Sequence, residues 1–125
     1  MSLNPFISIL HVQVTGYERA HRARANLALH ALAAPLFWLG MAALALGLKQ
    51  KSLLALGAGA ALVLIALALQ GLGHRTEKHP AAAFDSVFDG VVRLAGENLY
   101  VFPRFVLTGG WARAWRRAWR WEALS

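Results

Sequence analysis

The segment QGLGHRTEKHPA, residues 70–81, places two histidines and a glutamate directly after a long run of uncharged residues. Imidazole and carboxylate groups are nitrogen and oxygen ligands that zinc and ferrous iron accept in proteins. Within this segment, His74 and Glu77 lie three residues apart and share one face of a helix. A second polar pair, Asn26 and His30, lies four residues apart and also shares a helix face. If the two pairs meet in space, their side chains form a metal or cofactor site.

Two apolar segments connect these pairs and are long enough to bring them together. Residues 27–48 contain one ionisable side chain, His30, and residues 53–73 contain one polar side chain, Gln70. As helices, both reach about 30 Å, the thickness of the hydrocarbon layer of a membrane. A hairpin that turns between them returns its two ends to the same depth. The polar residues that meet there are Asn26, His30, Gln70, His74 and Glu77, with His21 and His79 close to them.

Histidines in such positions favour a metal or cofactor site, because ionisable side chains inside membrane spans are costly and are usually functional. Two or more imidazoles with a carboxylate suit ferrous iron used in oxygen chemistry, and zinc also accepts this set. His21 lies half a turn out of phase with His30 on a continuous helix, so we expect a bend or a different neighbour for it. His11 is expected to be an ordinary interfacial side chain.

The composition indicates a membrane protein. Of the 125 residues, 58% are hydrophobic and only 15% are charged, below the roughly 25% of a soluble domain. Of the 13 Lys and Arg residues, eleven lie before residue 27 or after residue 73 and two lie in the connecting turn. This bias predicts an integral membrane protein with both termini in the cytoplasm, and we expect its membrane to be a bacterial inner membrane. The net charge of +7 lies beside membrane spans, which favours anionic lipid headgroups over nucleic acid as the partner.

The predicted fold is an all-α membrane protein, a transmembrane helical hairpin with amphipathic interfacial helices, in one domain of residues 1–125. Residues 81–108 form an amphipathic segment, of which 94–108 crosses, dips into or lies on the membrane. The tail at 111–124 alternates tryptophan and arginine faces and is expected to lie at the membrane interface. The absence of cysteine excludes disulfides, thiolate ligands and iron–sulfur clusters.

Two blocks of the sequence carry a family resemblance. The first is HRARANLALH, residues 21–30, which is followed by Pro35, and the second is QGLGH, residues 70–74, with Glu77 and a Pro-Ala pair downstream. In the order of these blocks the chain resembles the Mpo-type family of 2-hydroxy fatty acid dioxygenases, small membrane proteins of fungi and bacteria. The resemblance covers roughly residues 17–110 and leaves the arginine-tryptophan tail unexplained.

This resemblance implies an Fe(II)-dependent enzyme of fatty acid α-oxidation. A long-chain 2-hydroxy fatty acid would react with dioxygen and lose one carbon, while its acyl chain stays in the bilayer. Glu77 would be a ligand or would orient an imidazole, a role that Asn26 and Gln70 could share, and Arg75 or Lys78 would pair with the substrate carboxylate. The histidines that the resemblance makes iron ligands are His21, His30, His74 and His79.

Other functions fit the same residues. A haem could lie between His30 and His74 as axial ligands, in a homo-oligomer that completes a four-helix bundle. A non-enzymatic membrane adaptor would use the histidines only as hydrogen-bonding groups and the tail as its anchor. For Arg75 and Lys78, the alternative is the ordinary positive charge of a cytoplasmic segment.

Overall fold

The computed structural model describes residues 4–78 and 83–124, and helices make up nearly all of them. This confirms the all-α prediction for the described part of the chain, where no β-strand occurs. The helices are α1 (Pro5–Ala20), α2 (Arg24–Gln50), α3 (Leu53–Arg75), α4 (Val87–Gly96), a π-helical turn (Glu97–Val101), α5 (Phe102–Leu107) and α6 (Gly110–Leu124).

A two-residue turn joins α2 to α3. Lys51 adopts a left-handed conformation with φ of 52°, and its backbone N–H donates to the carbonyl of Gly47. Ser52 then begins α3, because its side chain accepts a hydrogen bond from the backbone N–H of Ala55 at 3.1 Å. A left-handed residue that ends one helix and a serine that caps the next are common at helix boundaries. Together they reverse the chain within the predicted turn.

Glycines hold α2 and α3 in close antiparallel contact. A Cβ atom at Gly59 would lie 2.7 Å from the carbonyl oxygen of Gly40 and 2.8 Å from the backbone nitrogen of Leu44. Nearer the turn, a Cβ at Gly47 would lie 2.9 Å from the backbone of Leu56. Small residues of this kind let two helix backbones approach each other. The two helices therefore touch along most of their length.

Replacing Gly59 by alanine is expected to destabilise the protein by about 1–3 kcal/mol, because the new methyl group meets backbone atoms of α2 that cannot move aside. Gly57→Ala is the matched control: it lies two residues away on the same helix with nothing within 4 Å of its Cβ position. Unfolding of both variants in detergent micelles measures the difference. Equal stability of the two variants would contradict the close packing.

Both α2 and α3 are long and apolar enough to cross a membrane. In their most hydrophobic 18-residue windows, only 28% and 17% of the residues are buried inside the protein. Large apolar side chains therefore face outward, among them Leu39, Leu46, Leu53 and Leu64. α2 continues through Pro35, which is exposed.

The segment from α4 to α5 is continuously helical and packs against α1. Tyr17 of α1 forms a buried cluster with Ala34 of α2 and with Val101 and Phe102. The predicted amphipathic segment at 81–108 begins at residues that lie outside the described part of the chain. From residue 84 onward, its apolar side chains Phe84, Val87, Phe88 and Val91 are exposed.

The tail helix α6 turns two of its tryptophans towards the protein. The rings of Trp111 and Trp115 stack with centroids 5.2 Å apart, and the indole N–H of Trp111 donates to the carbonyl of Leu27 at 3.0 Å. The Arg24 guanidinium lies 4.0 Å from the centroid of Trp115. α2 thus supplies a carbonyl for Trp111 and a cation for Trp115, and the expected interfacial position of the tail stays a prediction. Among the α6 side chains that the structure describes, the exposed arginines are Arg113, Arg116 and Arg117.

Candidate metal centre

The chain leaves helical geometry at residues 21–23, and this break places His21 beside His30. The Nδ1 atom of His21 lies 2.8 Å from the carbonyl oxygen of Tyr17, and its ring stacks on the Tyr17 ring with centroids 3.8 Å apart. The side chain is only 3% exposed. The out-of-phase position of His21 is thus accommodated by the bend between α1 and α2.

Three imidazoles meet at the ends of the three longest helices. His30 projects from the second turn of α2 and His74 from the last turn of α3. The ring centroids of His21 lie 4.6 Å from His30 and 4.9 Å from His74, and the His30–His74 distance is 4.8 Å. Sequence spacing placed His30 and His74 at the same depth, whereas His21 needed the bend that the structure shows at residues 21–23.

The fourth member of the cluster is Glu97, the first residue of the π-helical turn. Its Oε1 atom lies 2.9 Å from Nε2 of His30 and 3.5 Å from Nε2 of His21. One ligand atom from each of the four side chains lies within 4.8 Å of all the others. The His₃Glu cluster can therefore hold a metal ion.

Backbone contacts set the protonation of two imidazoles. Nδ1 of His30 lies 3.0 Å from the carbonyl oxygen of Asn26, and Nδ1 of His21 makes the similar contact to Tyr17. A carbonyl oxygen only accepts, so both Nδ1 atoms carry hydrogen, and Nε2 of each ring is the atom directed towards the other ring and Glu97. These two Nε2 atoms lie 3.3 Å apart. Two ring nitrogens and a carboxylate oxygen thus converge on one point, an arrangement that a bound metal ion or a proton would stabilise.

The carboxylate of Glu97 is ionised in this position. Burial by itself favours the protonated acid, but hydrogen bonds and positive charge from His21 and His30 outweigh it and hold the pKa of Glu97 well below its usual range. Burial raises the pKa of Tyr17, and the nearby Glu97 charge adds to that shift. The Tyr17 phenol therefore keeps its proton and donates to Oε1 of Glu97 at 3.3 Å.

Glu77 lies in a different place from the one that the sequence suggested for a ligand. Its Oε1 atom accepts from the backbone N–H of Ala23 at 2.8 Å and from the Asn26 amide at 2.9 Å. A carboxylate at the start of α2 satisfies a free N–H and interacts favourably with the helix dipole. The structure therefore gives Glu77 a capping position and puts Glu97 beside the histidines.

Asn26 connects this cap to the site. Its side chain is fully buried and its own carbonyl orients His30. A Cβ atom at Gly73 would collide with the Asn26 side chain and would lie 3.2 Å from its Cα atom. The glycine in front of His74 thus lets α3 approach α2 at the depth of the cluster.

The remaining residues that the sequence analysis assigned to the site have different surroundings. Gln70 is buried and hydrogen-bonds to Asn98, while Nδ1 of His74 is buried and no described residue hydrogen-bonds it. Lys78 is exposed. His79 lies outside the described residues.

A cavity of about 490 Å³ adjoins the cluster between α3 and α4. His74 and Glu97 form part of its wall, and Arg75 lies at the same wall. Leu67, Phe84 and Leu94 contribute apolar surface. The cavity thus combines two candidate ligands, two arginines (Arg75 and Arg93) and apolar side chains.

Two residues of the site, Tyr17 and Glu97, were missed by sequence reasoning. The signal for Glu97 was present, because it is an ionisable residue in the apolar stretch between α4 and α5. For Tyr17 the only signal was its position one helical turn before His21.

Comparison with protein-family models, curated proteins and solved structures finds no match to this chain. The geometry of the site must therefore carry the functional argument.

Proposed function

We propose that this chain is an integral membrane Fe(II)-dependent dioxygenase that shortens long-chain 2-hydroxy fatty acids by one carbon. One observation carries the metal site: the mutual distances of 2.9, 3.3 and 3.5 Å among Nε2 of His21, Nε2 of His30 and Oε1 of Glu97. Ligand atoms about 2.1 Å from a shared ion lie about 3.0–3.4 Å apart in octahedral or tetrahedral geometry. These atoms are thus spaced as ligands of one ion.

A proton shared between histidine and glutamate is the competing explanation for the cluster. One proton satisfies one contact, whereas three imidazoles and a carboxylate converge here. A shared proton also gives no role to His74, whose buried Nδ1 atom has no hydrogen-bond partner among the described residues. A divalent ion accounts for all four side chains.

The ligand types favour iron. Two histidines and one carboxylate on one side of the ion, with positions left for substrate, are typical of non-haem Fe(II) oxygenases. Bound ferrous iron supplies the electron-transfer chemistry that allows dioxygen to react with an organic acid. Zinc accepts the same ligands but has no redox chemistry. The resemblance to 2-hydroxy fatty acid dioxygenases supports iron independently of the geometry.

The cavity beside His74 and Glu97 suits the substrate. Arg75 has no hydrogen-bond or ion-pair partner among the described residues and lies at the cavity wall, so its guanidinium is available to a carboxylate. Leu67 and Phe84 can contact the first methylene groups of the acyl chain. The ionised Glu97 leaves a divalent centre with net positive charge, which favours an anionic substrate.

The reaction is balanced by one dioxygen. A 2-hydroxy acid and O₂ contain the atoms of the acid one carbon shorter, carbon dioxide and water. The bond between C1 and C2 breaks, C2 is oxidised to the new carboxyl group, and dioxygen is the only oxidant. The reaction therefore requires no external reductant.

The membrane placement follows from the two apolar helices. With α2 and α3 across the bilayer as a hairpin and both termini in the cytoplasm, the cluster lies at the cytoplasmic end of the spans. The exposed apolar residues Phe84, Val87 and Phe88 and the exposed arginines of α6 then lie at the interface, where anionic lipid headgroups attract the arginines. A long-chain acid can reach the cavity without leaving the bilayer.

The haem and adaptor functions have less support. The rings of His21, His30 and His74 contact one another, which leaves no gap between His30 and His74 for a porphyrin. An adaptor does not require three imidazoles to share one carboxylate.

Oxygen uptake by anaerobically purified, iron-loaded protein tests the proposal. With 2-hydroxyhexadecanoate we expect iron-dependent consumption of dioxygen and a product one carbon shorter by mass spectrometry. Hexadecanoate, which lacks only the hydroxyl group, is the matched control and is expected to give no uptake. Folded protein that cannot be loaded with iron, or iron-loaded protein that is inactive with the hydroxy acid, would contradict the proposal.

A further inference from the structure

Glu97 enters the site from a π-helical turn, and one hydrogen bond of that turn is missing. The backbone N–H of Phe102 donates to the carbonyl of Glu97, five residues earlier. The next donor in this register would be residue 103, which is proline and has no N–H. The carbonyl of Asn98 is therefore left without its partner in this register. Turns of this kind are rare within helices and occur often at functional sites.

The indole of Trp38 replaces the missing donor. Its Nε1–H donates to the carbonyl oxygen of Asn98 at 2.7 Å. A backbone carbonyl away from water needs a hydrogen-bond partner. The Trp38 indole on α2 therefore supplies the N–H donor that Pro103 lacks. Because Asn98 directly follows Glu97, this bond fixes the backbone one residue after the Cα atom that carries the Glu97 side chain.

The side chain of Asn98 ties the same residue to α3. It is fully buried, and its Oδ1 atom accepts from Nε2 of Gln70 at 2.5 Å. Its Nδ2 atom donates to the carbonyl of Leu94 at 2.9 Å. One asparagine thus contacts both α2 and α3, the helices that carry His30 and His74.

We infer that Trp38, Gln70 and Asn98 are positioning residues that hold Glu97 against the histidines by fixing the π-helical turn. None of the three contacts the cluster atoms directly; they act through the backbone of Asn98. The inference rests on the proposed metal site but does not depend on the substrate or the reaction. Groups that orient a metal ligand in this way typically contribute 10–100-fold to metal affinity.

Substituting Trp38 by phenylalanine removes the indole N–H and keeps an aromatic ring. We expect the dissociation constant for Co(II), a spectroscopically visible probe ion, to rise about tenfold or more in full-length protein in detergent. Trp111→Phe is the matched control, since it removes an indole bond to a different backbone carbonyl, that of Leu27. It is expected to stay within about twofold of the wild type, because that carbonyl does not belong to the turn.

Two further measurements separate positioning from general stability. Pro103→Ala in the Trp38→Phe background returns an N–H to the turn and is expected to recover affinity. Asn98→Leu and Gln70→Leu should each shift the Co(II) absorption spectrum towards that of Glu97→Gln. The double variant should lose little more Co(II) affinity than either single variant, because the two amides form one interaction.

The outcomes distinguish this inference from the metal site itself. Weaker binding by Trp38→Phe with a spectrum like that of Glu97→Gln supports it. Wild-type affinity and spectrum in Trp38→Phe would overturn the inference and leave the metal site intact. A wild-type protein that binds no Co(II) would overturn the site and the inference with it.

Discussion

Glu97→Gln is expected to weaken Fe(II) binding by more than about 100-fold, beyond the 10–100-fold typical of groups that only orient ligands. Glutamine has nearly the same shape but no charge, and its amide group cannot replace an ionised oxygen 2.9 Å from His30 and 3.5 Å from His21. Competition with a chromophoric chelator under anaerobic conditions measures the dissociation constant.

Glu77→Gln is the matched control for this prediction, and it separates the two candidate carboxylates. Glu77 accepts hydrogen bonds from Ala23 and Asn26 and has no cluster atom as its partner. A glutamine side chain keeps an accepting oxygen there, so we expect metal affinity to fall by about tenfold or less. Loss of metal from Glu77→Gln with retention by Glu97→Gln would show that the ligand suggested by the sequence is the functional one.

The contrast between these two glutamates shows what the sequence could predict. His30 and His74 lie at similar distances along the chain from one turn, and apolar segments of matching length make their depth predictable. Glu97 enters from a separate helical segment whose placement depends on Pro103, on Trp38 and on packing against α1. Periodicity within 94–108 carries no information about those contacts.

Tertiary contacts also decided the role of other residues. The arginine-tryptophan pattern of α6 predicted a helix, but the pattern cannot show that Trp111 finds a carbonyl on α2. Likewise, the polar stretch before His21 gave no sign that α1 would bring Tyr17 against both His21 and Glu97. In each case the deciding partner lies far away in the sequence.

The cluster also predicts that the metal ion stabilises the fold. Any ligand that binds only the native state stabilises it, by about 2.7 kcal/mol when free metal is a hundredfold above its dissociation constant. Here the ion would also bridge the Nε2 atoms of His21 and His30, which lie 3.3 Å apart. We therefore expect Fe(II) or Co(II) to raise the unfolding temperature of the wild-type protein in detergent by several degrees, and a chelator to reverse this.

His30→Gln is expected to abolish this metal-dependent stabilisation. His30 is 1% exposed and contacts both His21 and Glu97, so its loss removes one of the four candidate ligands. His11→Gln is the control, since His11 is exposed on α1 and lies outside the cluster, and it should keep the full shift. Thermal unfolding with and without metal gives the comparison. If His30→Gln retained the shift, the ion would bind elsewhere; if wild type showed none, the facing nitrogens would be held together by a proton.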